Sequence, residues 1–299
     1  MTILVTGALG QVGKALVRKL LEEKASFIGL DKREEDIFSD VKIIHPEITR
    51  KEDIEKYSLE LSDVDILIHL ASLITNDKDV VKSGPDSVDL NIKGTINLLG
   101  FLPNLKSITF SSTYMVYGTP ISNPITEDHT TNPNLVYGAS KLATEKFLQI
   151  FSKESGVNLS ILRLMGIYGV EKPHGQAIPS FIKLIMNDQN PNIIGTGKEK
   201  RNHLHIDDAV NAILASINTQ KTGTFNIGGP DSPSNLEIID IINRNLNKKI
   251  EPIFKEDISK AYSFVTNTTK AKEELDFIPQ ISIENGIDRA INLYQKTGW

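Results

Sequence analysis

The stretch "TILVTGALGQVGKALVRKLLEEKA" limits the fold more than any other part of the chain. A short run of β-formers ends at Gly7, and apolar positions Val12, Leu16 and Leu20, with Val17 and Leu21 beside them, then recur at helical spacing. Gly7, Gly10 and Gly13 stand three apart in the joint between them. Such a joint turns tightly, lets backbone N–H groups approach a pyrophosphate at the positive end of a helix, and allows close helix contact at the last glycine. The alternation continues. "SFIGLD" and "VKIIH" read as strands, "KEDIEKYSLEL" as a helix, "VDILIHLA" as a strand, "LNIKGTINLLGFL" as a helix, "SITFSS" as a strand, 138 to 154 as a helix and "VNLSILRL" as a sixth strand. Unbroken apolar runs such as "VDILIHLA" suit strands covered on both faces, so an open, doubly wound parallel α/β sheet is expected over roughly residues 1 to 170.

After Gly169 the rhythm breaks at "VEKPHGQAIP". Helices are expected near 176 to 187, 234 to 245, 268 to 275 and 282 to 295, with "IEPIF" as a strand and "GTFNIGG" as a strand returning to the sheet. The expected division is 1–170 with 203–228 returning to it, and a smaller lobe from 171–202 and 229–299. The net charge of -5, dispersed along the chain, does not suggest nucleic acid or an acidic membrane as partner. With no Cys, a thiol nucleophile, a thiolate metal site and a disulfide framework are excluded, and a cytoplasmic setting is expected.

Asp31 closes the second strand, where an acid accepts hydrogen bonds from the adenine ribose hydroxyls. Its charge opposes a 2′-phosphate, which favours NAD over NADP. Lys32 and Arg33 follow directly and offset that repulsion only if one folds back over the phosphate. Ser111, Ser112 and Thr113 end the fifth strand on the crevice side of such a sheet, and Tyr137 and Lys141 sit one helical turn apart further on. A Tyr is a poor base at its ordinary pKa of about 10, and a nearby ammonium favours its phenolate. Tyr117 also lies near the crevice but has no Lys four residues on. His203 and His205 would share one side of an extended segment, yet Asp207 suits a helix cap and further metal ligands are wanting, so no metal site is expected. His129 is placed in a loop beside the cleft.

Taken in order, "TGALGQVG", "HLA", "NIKGT", "FSSTYMVYG", "YGASK", "RLMGIYG" and "RNHLHIDD" resemble the extended short-chain dehydrogenases/reductases of the NAD-dependent epimerase/dehydratase family over nearly the whole chain. That resemblance implies a Rossmann-type sheet holding NAD, a C-terminal substrate-binding lobe, and a nucleotide-diphospho-sugar, a UDP-sugar by preference, in the cleft between them. It implies Thr113, Tyr137 and Lys141 as catalytic groups. Gly7, Leu9, Gly10, Gln11, Val12, Gly13, Asp31, Lys32, Leu70, Ala71, Ser72, Asn91 and Ser111 are expected around NAD with Tyr137 and Lys141, and Ser112, Thr113 and Arg201 around the substrate. A homodimer through the helices that start near 88 and 138 is also implied. The dehydratases of the family carry an acidic pair after the catalytic Thr, where this chain has Tyr114 and Met115. Gly166 stands where the family usually has Asn, and only Lys260 lies near the place of a customary late Arg. C4 epimerisation through a 4-keto sugar is the expected reaction. A dehydrogenase or reductase of a smaller alcohol or keto substrate, and a noncatalytic cofactor-binding protein, are the alternatives.

Overall fold

A computed structural model describes residues 1–35, 37–170, 177–255 and 262–297. Seven parallel strands form the central sheet, ordered β10-β6-β5-β4-β1-β2-β3, with β1 Thr2–Thr6, β2 Phe27–Leu30, β3 Ile43–Ile44, β4 Val64–His69, β5 Ser107–Thr113, β6 Asn158–Leu164 and β10 Gly223–Ile227. The order reverses at β1, whose neighbours are β2 and β4, and ligands of open α/β sheets bind outside the carboxyl ends of the strands at such a reversal. Ile3 and Val5 of β1 and Ile66 and Ile68 of β4 pack in one core with α1 (Gln11–Glu22) and α8 (Ile206–Thr219). Leu4 and Leu67 point the other way into a second core with Leu98 and Leu148. Alternate residues of one strand therefore serve opposite faces, which explains why the strands read as continuous apolar runs.

The second face is covered by α6 (Val136–Ser155) and by a long helical segment that begins earlier than the sequence suggested. It starts as α4 (Val80–Ser87), passes through a π-helical stretch Val88–Gly94 and ends as α5 (Thr95–Leu99). The Asp79 carboxylate caps its start by accepting from the Val81 and Lys82 N–H groups. Pro85 lies within α4, so "SGPD" is helical. The single helix expected over "KEDIEKYSLEL" is two short ones, α2 Lys51–Glu55 and α3 Ser58–Ser62. The lobe has its own core, in which Ile182, Ile238, Ile242, Ile287 and Tyr294 join α7 (Ala177–Met186), α9 (Asn235–Leu246) and α11 (Ile283–Thr297). Phe254, expected in a strand, lies in β11 (Ile253–Lys255), which pairs with β8 (Asn192–Ile194), while β7 (Gly166–Tyr168) pairs with β9 (His203–His205). Among the described residues no helix is long and apolar enough to cross a membrane.

Candidate active site

The glycine joint packs as closely as its spacing suggested. A Cβ on Gly13 would lie 2.0 Å from the Gly7 carbonyl oxygen, and one on Gly7, whose φ is +69°, would lie 2.8 Å from the Ala71 backbone nitrogen. Only glycine lets α1 start this near β1 and lets the turn abut the segment after β4. Gly10 is the N-cap of α1, no side chain caps that end, and no acid stands in its first turn. Gln11 and Val12 open the helix, so their end of it suits a pyrophosphate. The Leu9 side chain is buried, but its N–H donates to Asp31 Oδ2 at 3.0 Å, fixing the acid against the turn. Burial raises the Asp31 carboxyl, but the Arg33 guanidinium and two backbone N–H groups outweigh it and hold the carboxyl below its ordinary value.

The end of β4 is held by a directional chain of hydrogen bonds. The Thr6 hydroxyl oxygen accepts from the Leu70 and Ala71 N–H groups and bonds His69 Nδ1 at 2.8 Å. His69 Nε2 bonds the Thr95 hydroxyl, also at 2.8 Å, and Thr95 spends its own proton on the Asn91 carbonyl. His69 must therefore carry its hydrogen on Nε2 and accept at Nδ1. Burial, with the Lys141 charge as a second cause, lowers this ring to about 3, so it stays neutral. Leu70, Ala71 and Ser72 are thus set by a rigid, uncharged strut.

Thr113, Tyr137 and Lys141 are all buried. The Thr113 hydroxyl accepts from the Met115 N–H and caps the 3-10 turn Tyr114–Tyr117. Tyr137 occupies the first turn of α6 and is hydrogen-bonded to Ser72. Gly138 brings that turn against the 3-10 turn after β5, since a Cβ there would sit 2.6 Å from the Met115 carbonyl oxygen. Lys141 Nζ lies 4.1 Å from the centre of the Phe110 ring. Burial lowers the Lys141 ammonium to about 7, against the pull of Glu145. Burial likewise raises the Tyr137 phenol, with Ser72 opposing. The expected lowering of Tyr137 by Lys141 is therefore not a property of the chain by itself; desolvation dominates both groups.

Between sheet and lobe lies a cleft of about 570 Å³, walled by Tyr114, Met115, Gly166, Glu199, Arg201 and Tyr262 among others. The Arg201 guanidinium stands over the Tyr262 ring at 5.2 Å. A Cβ on Gly166 would meet nothing within 4 Å, so the smaller residue leaves room rather than relieving a clash. His203 also lines the cleft, and its Nε2 is buried with no hydrogen-bond partner among the described residues.

The sequence profile described as the NAD dependent epimerase/dehydratase family matches residues 3–228. The chain belongs to that family. A putative UDP-glucose 4-epimerase from Methanocaldococcus jannaschii is 32% identical, with 97% of each chain covered. A UDP-glucose 4-epimerase of Thermotoga maritima, solved with UDP-glucose, superposes with a TM-score of 0.88 at 27% identity over 99% of both chains. A UDP-glucuronic acid 4-epimerase of Bacillus cereus, solved with UDP-glucuronic acid and NAD, gives a TM-score of 0.88 at 26% identity, again over 99% of both. NAD is the cofactor of this family member, and the glycine turn with Asp31 fits it.

Membership in the epimerase/dehydratase family does not make every residue expected at the site a ligand contact. Ser112 points to the opposite face of β5 from Ser111 and Thr113, and its hydroxyl donates to the buried Glu145 carboxylate, so it does not serve the substrate. Ser111 reaches back to the His69 carbonyl at 3.3 Å. Asn91 is spent internally. Its Oδ1 accepts from the Leu73 N–H, and its Nδ2 donates to the Leu73 carbonyl and the Ser140 hydroxyl, which makes it a clamp between the segment after β4 and α6. Lys32 turns toward Glu47, 3.9 Å away, and the basic residue that meets Asp31 is Arg33. The chain bends after Asp31, and its carboxylate accepts the backbone N–H of the residue two on, which brings the Arg33 side chain back to it.

Tyr117 is closed off between Arg163 and Asn226, and both ring nitrogens of His129 are engaged by backbone groups. The cap of α8 is His205, whose Nδ1 accepts from the Asp207 N–H, not Asp207 itself. Lys260 and residues 171–176 lie outside the described residues.

Proposed function

We propose that this chain is an NAD-dependent 4-epimerase of a nucleotide-diphospho-sugar, most readily a UDP-hexose. The observation that carries the reading is that Tyr137 is bonded to Ser72 after β4 and its helix turn packs through Gly138 on Met115, which Thr113 caps and which lines the cleft together with Arg201, with no acidic pair after Thr113. Residues 1–170 and 203–228 hold the cofactor in this reading, and 171–202 with 229–299 close over the substrate. Gly7, Gly10 and Gly13 admit the pyrophosphate, Leu9, Gln11 and Val12 frame it, and Asp31 serves the adenosine end. Leu70, Ala71, Ser72 and Ser111 flank the nicotinamide side. NAD, when bound, supplies reversible oxidation at the sugar carbon.

Tyr137 accepts the 4-hydroxyl proton, Thr113 orients the same oxygen, and Lys141 sets the charge around both. Arg201 holds the diphosphate with its planar fork while the sugar turns to present its other face, and Tyr137 then returns the proton. Tyr114 and Met115 supply no acid and base to expel a hydroxyl as water, so the chain's residues support epimerisation over dehydration. The relatives that bind UDP-sugars support the same substrate class.

We further propose a homodimer. Val81, Val88, Ile96, Phe147 and Ile150 are exposed on the helical segment from 80 to 99 and on α6. Pairing those faces between two copies would cover them.

The purified chain should interconvert UDP-glucose and UDP-galactose, or their N-acetyl counterparts, without net change in reduced nicotinamide. Inactivity across a broad nucleotide-sugar panel with NAD demonstrably bound would refute the reading, and stoichiometric reduction of added cofactor would move the chain to the dehydrogenases.

A further inference from the structure

We propose that Arg33 is a second selectivity determinant at the adenosine end of the dinucleotide site: it competes with the ribose hydroxyls of NAD for Asp31 and offers a cation to a 2′-phosphate, so that the site also accepts NADP. The inference rests on the glycine turn and Asp31 as the cofactor site and is independent of the sugar reaction.

Four N–H groups already occupy the Asp31 carboxylate. Arg33 Nε and the Arg33 backbone N–H donate to Oδ1 at 2.9 and 3.1 Å, and Arg33 Nη2 and the Leu9 N–H donate to Oδ2 at 2.8 and 3.0 Å. A carboxylate offers about four lone-pair sites, so a ribose diol gains Asp31 only by displacing the guanidinium fork. The fork is the removable member, because the Arg33 side chain is 45% exposed whereas Asp31 is 6% exposed.

The guanidinium lies beside the glycine turn while it holds Asp31. Arg33 Nη2 is 4.0 Å from the position a Cβ would take on Gly10, which puts the guanidinium over the phosphate turn. The surrounding charges are matched too: Lys14 is bonded to Glu35 at 3.0 Å, and Lys32 stands 3.9 Å from Glu47. Glu35 also forms an ion pair with Arg33 Nη1 at 3.7 Å, its charge shared with Lys14, so that Asp31, Arg33, Glu35 and Lys14 form a cluster without net charge. A 2′-phosphate entering this site meets the guanidinium of a neutral cluster rather than a bare carboxylate. Asp31 alone would exclude it; Asp31 with Arg33 does not.

The test is calorimetric titration of the cofactor-stripped full chain with NAD and NADP, for the native sequence and for Arg33→Ala, with thermal melts confirming that both are folded. Native protein should bind NADP within about tenfold of NAD. Arg33→Ala should tighten NAD by about threefold, because the competitor for Asp31 is gone, and weaken NADP by about tenfold or more. Arg33→Lys, which keeps the charge without the fork, should retain most of the NADP affinity. A purely structural role for Arg33 would move both affinities in one direction or neither, and either result overturns the proposal, as does NADP binding that survives Arg33→Ala unchanged.

Discussion

Replacing Glu145 by Leu should unfold the protein more readily than any effect on catalysis would suggest. The Glu145 carboxylate is fully buried and accepts from Arg163 Nε at 3.1 Å, Arg163 Nη2 at 2.7 Å and the Ser112 hydroxyl, while Arg163 is 5% exposed. Removing one partner of such a pair strands the other charge, at about 3 to 5 kcal/mol. Arg163 keeps its bonds to Tyr117 Oη and the Glu127 carbonyl, but Ser112 loses its acceptor, so Glu145→Leu is expected near 4 kcal/mol. The double variant Glu145→Leu/Arg163→Met leaves no orphan charge and should lie within about 1 kcal/mol of the native chain, a recovery of about 3 kcal/mol over the single variant. Thermal unfolding followed by circular dichroism reads this as a fall of about 8 °C for the single variant and a recovery of most of it in the double. A double variant as unstable as the sum of the two singles would refute the reasoning, because the loss would then belong to packing and not to a stranded charge.

Tyr137→Phe should leave folding and NAD binding intact and lower turnover by about a hundredfold or more; unchanged turnover would remove Tyr137 from proton transfer. Gly13→Ala should abolish NAD binding while the lobe still folds, since its Cβ cannot share space with the Gly7 carbonyl 2.0 Å away, and native NAD affinity in that variant would show that the turn is not the pyrophosphate site. His69 is depressed to about 3 in the folded chain against an ordinary 6.5, so the unfolded chain takes up the proton first and stability falls as pH drops from 6.5 toward 3. That loss should reach about 2 kcal/mol between about pH 7 and pH 5 in denaturant titrations, and His69→Gln should flatten the slope; an unaltered slope would place the titration elsewhere.

The strand, glycine turn and helix at the start, the acid at Asp31 and the Tyr137 and Lys141 pair were legible because each depends on local spacing. What escaped the sequence depends on tertiary company. The helix expected to start near 88 begins at Val80, because the Asp79 cap starts it earlier and it runs on through Gly84 and Pro85. Ser112 was placed with its neighbours in a run of hydroxyls, although strand alternation sends it to the other face and only the buried Glu145 and Arg163 show why a hydroxyl is needed there. The clamp made by Asn91 was not legible, because its three hydrogen bonds join segments 18 and 49 residues away in sequence. The depressed Lys141 could not be read from spacing at all, since burial by Phe110 and the sheet, not the residue four positions on, sets its direction.

The return of β10 has a consequence for how the chain comes into being. Gly223 of β10 pairs with Ser160 of β6, so the sheet's last position is filled by residues made after the first part of the lobe. While the chain emerges from a ribosome, β6 presents an open, apolar edge for the whole interval in which α7 and α8 are being added, and nothing local can close it. A gene split after residue 170 would make that interval permanent. The first fragment would hold the glycine turn, Asp31, Thr113, Tyr137 and Lys141 and still seek a strand from a neighbouring molecule, which makes self-association, not loss of chemistry, the first fate of a half-length product.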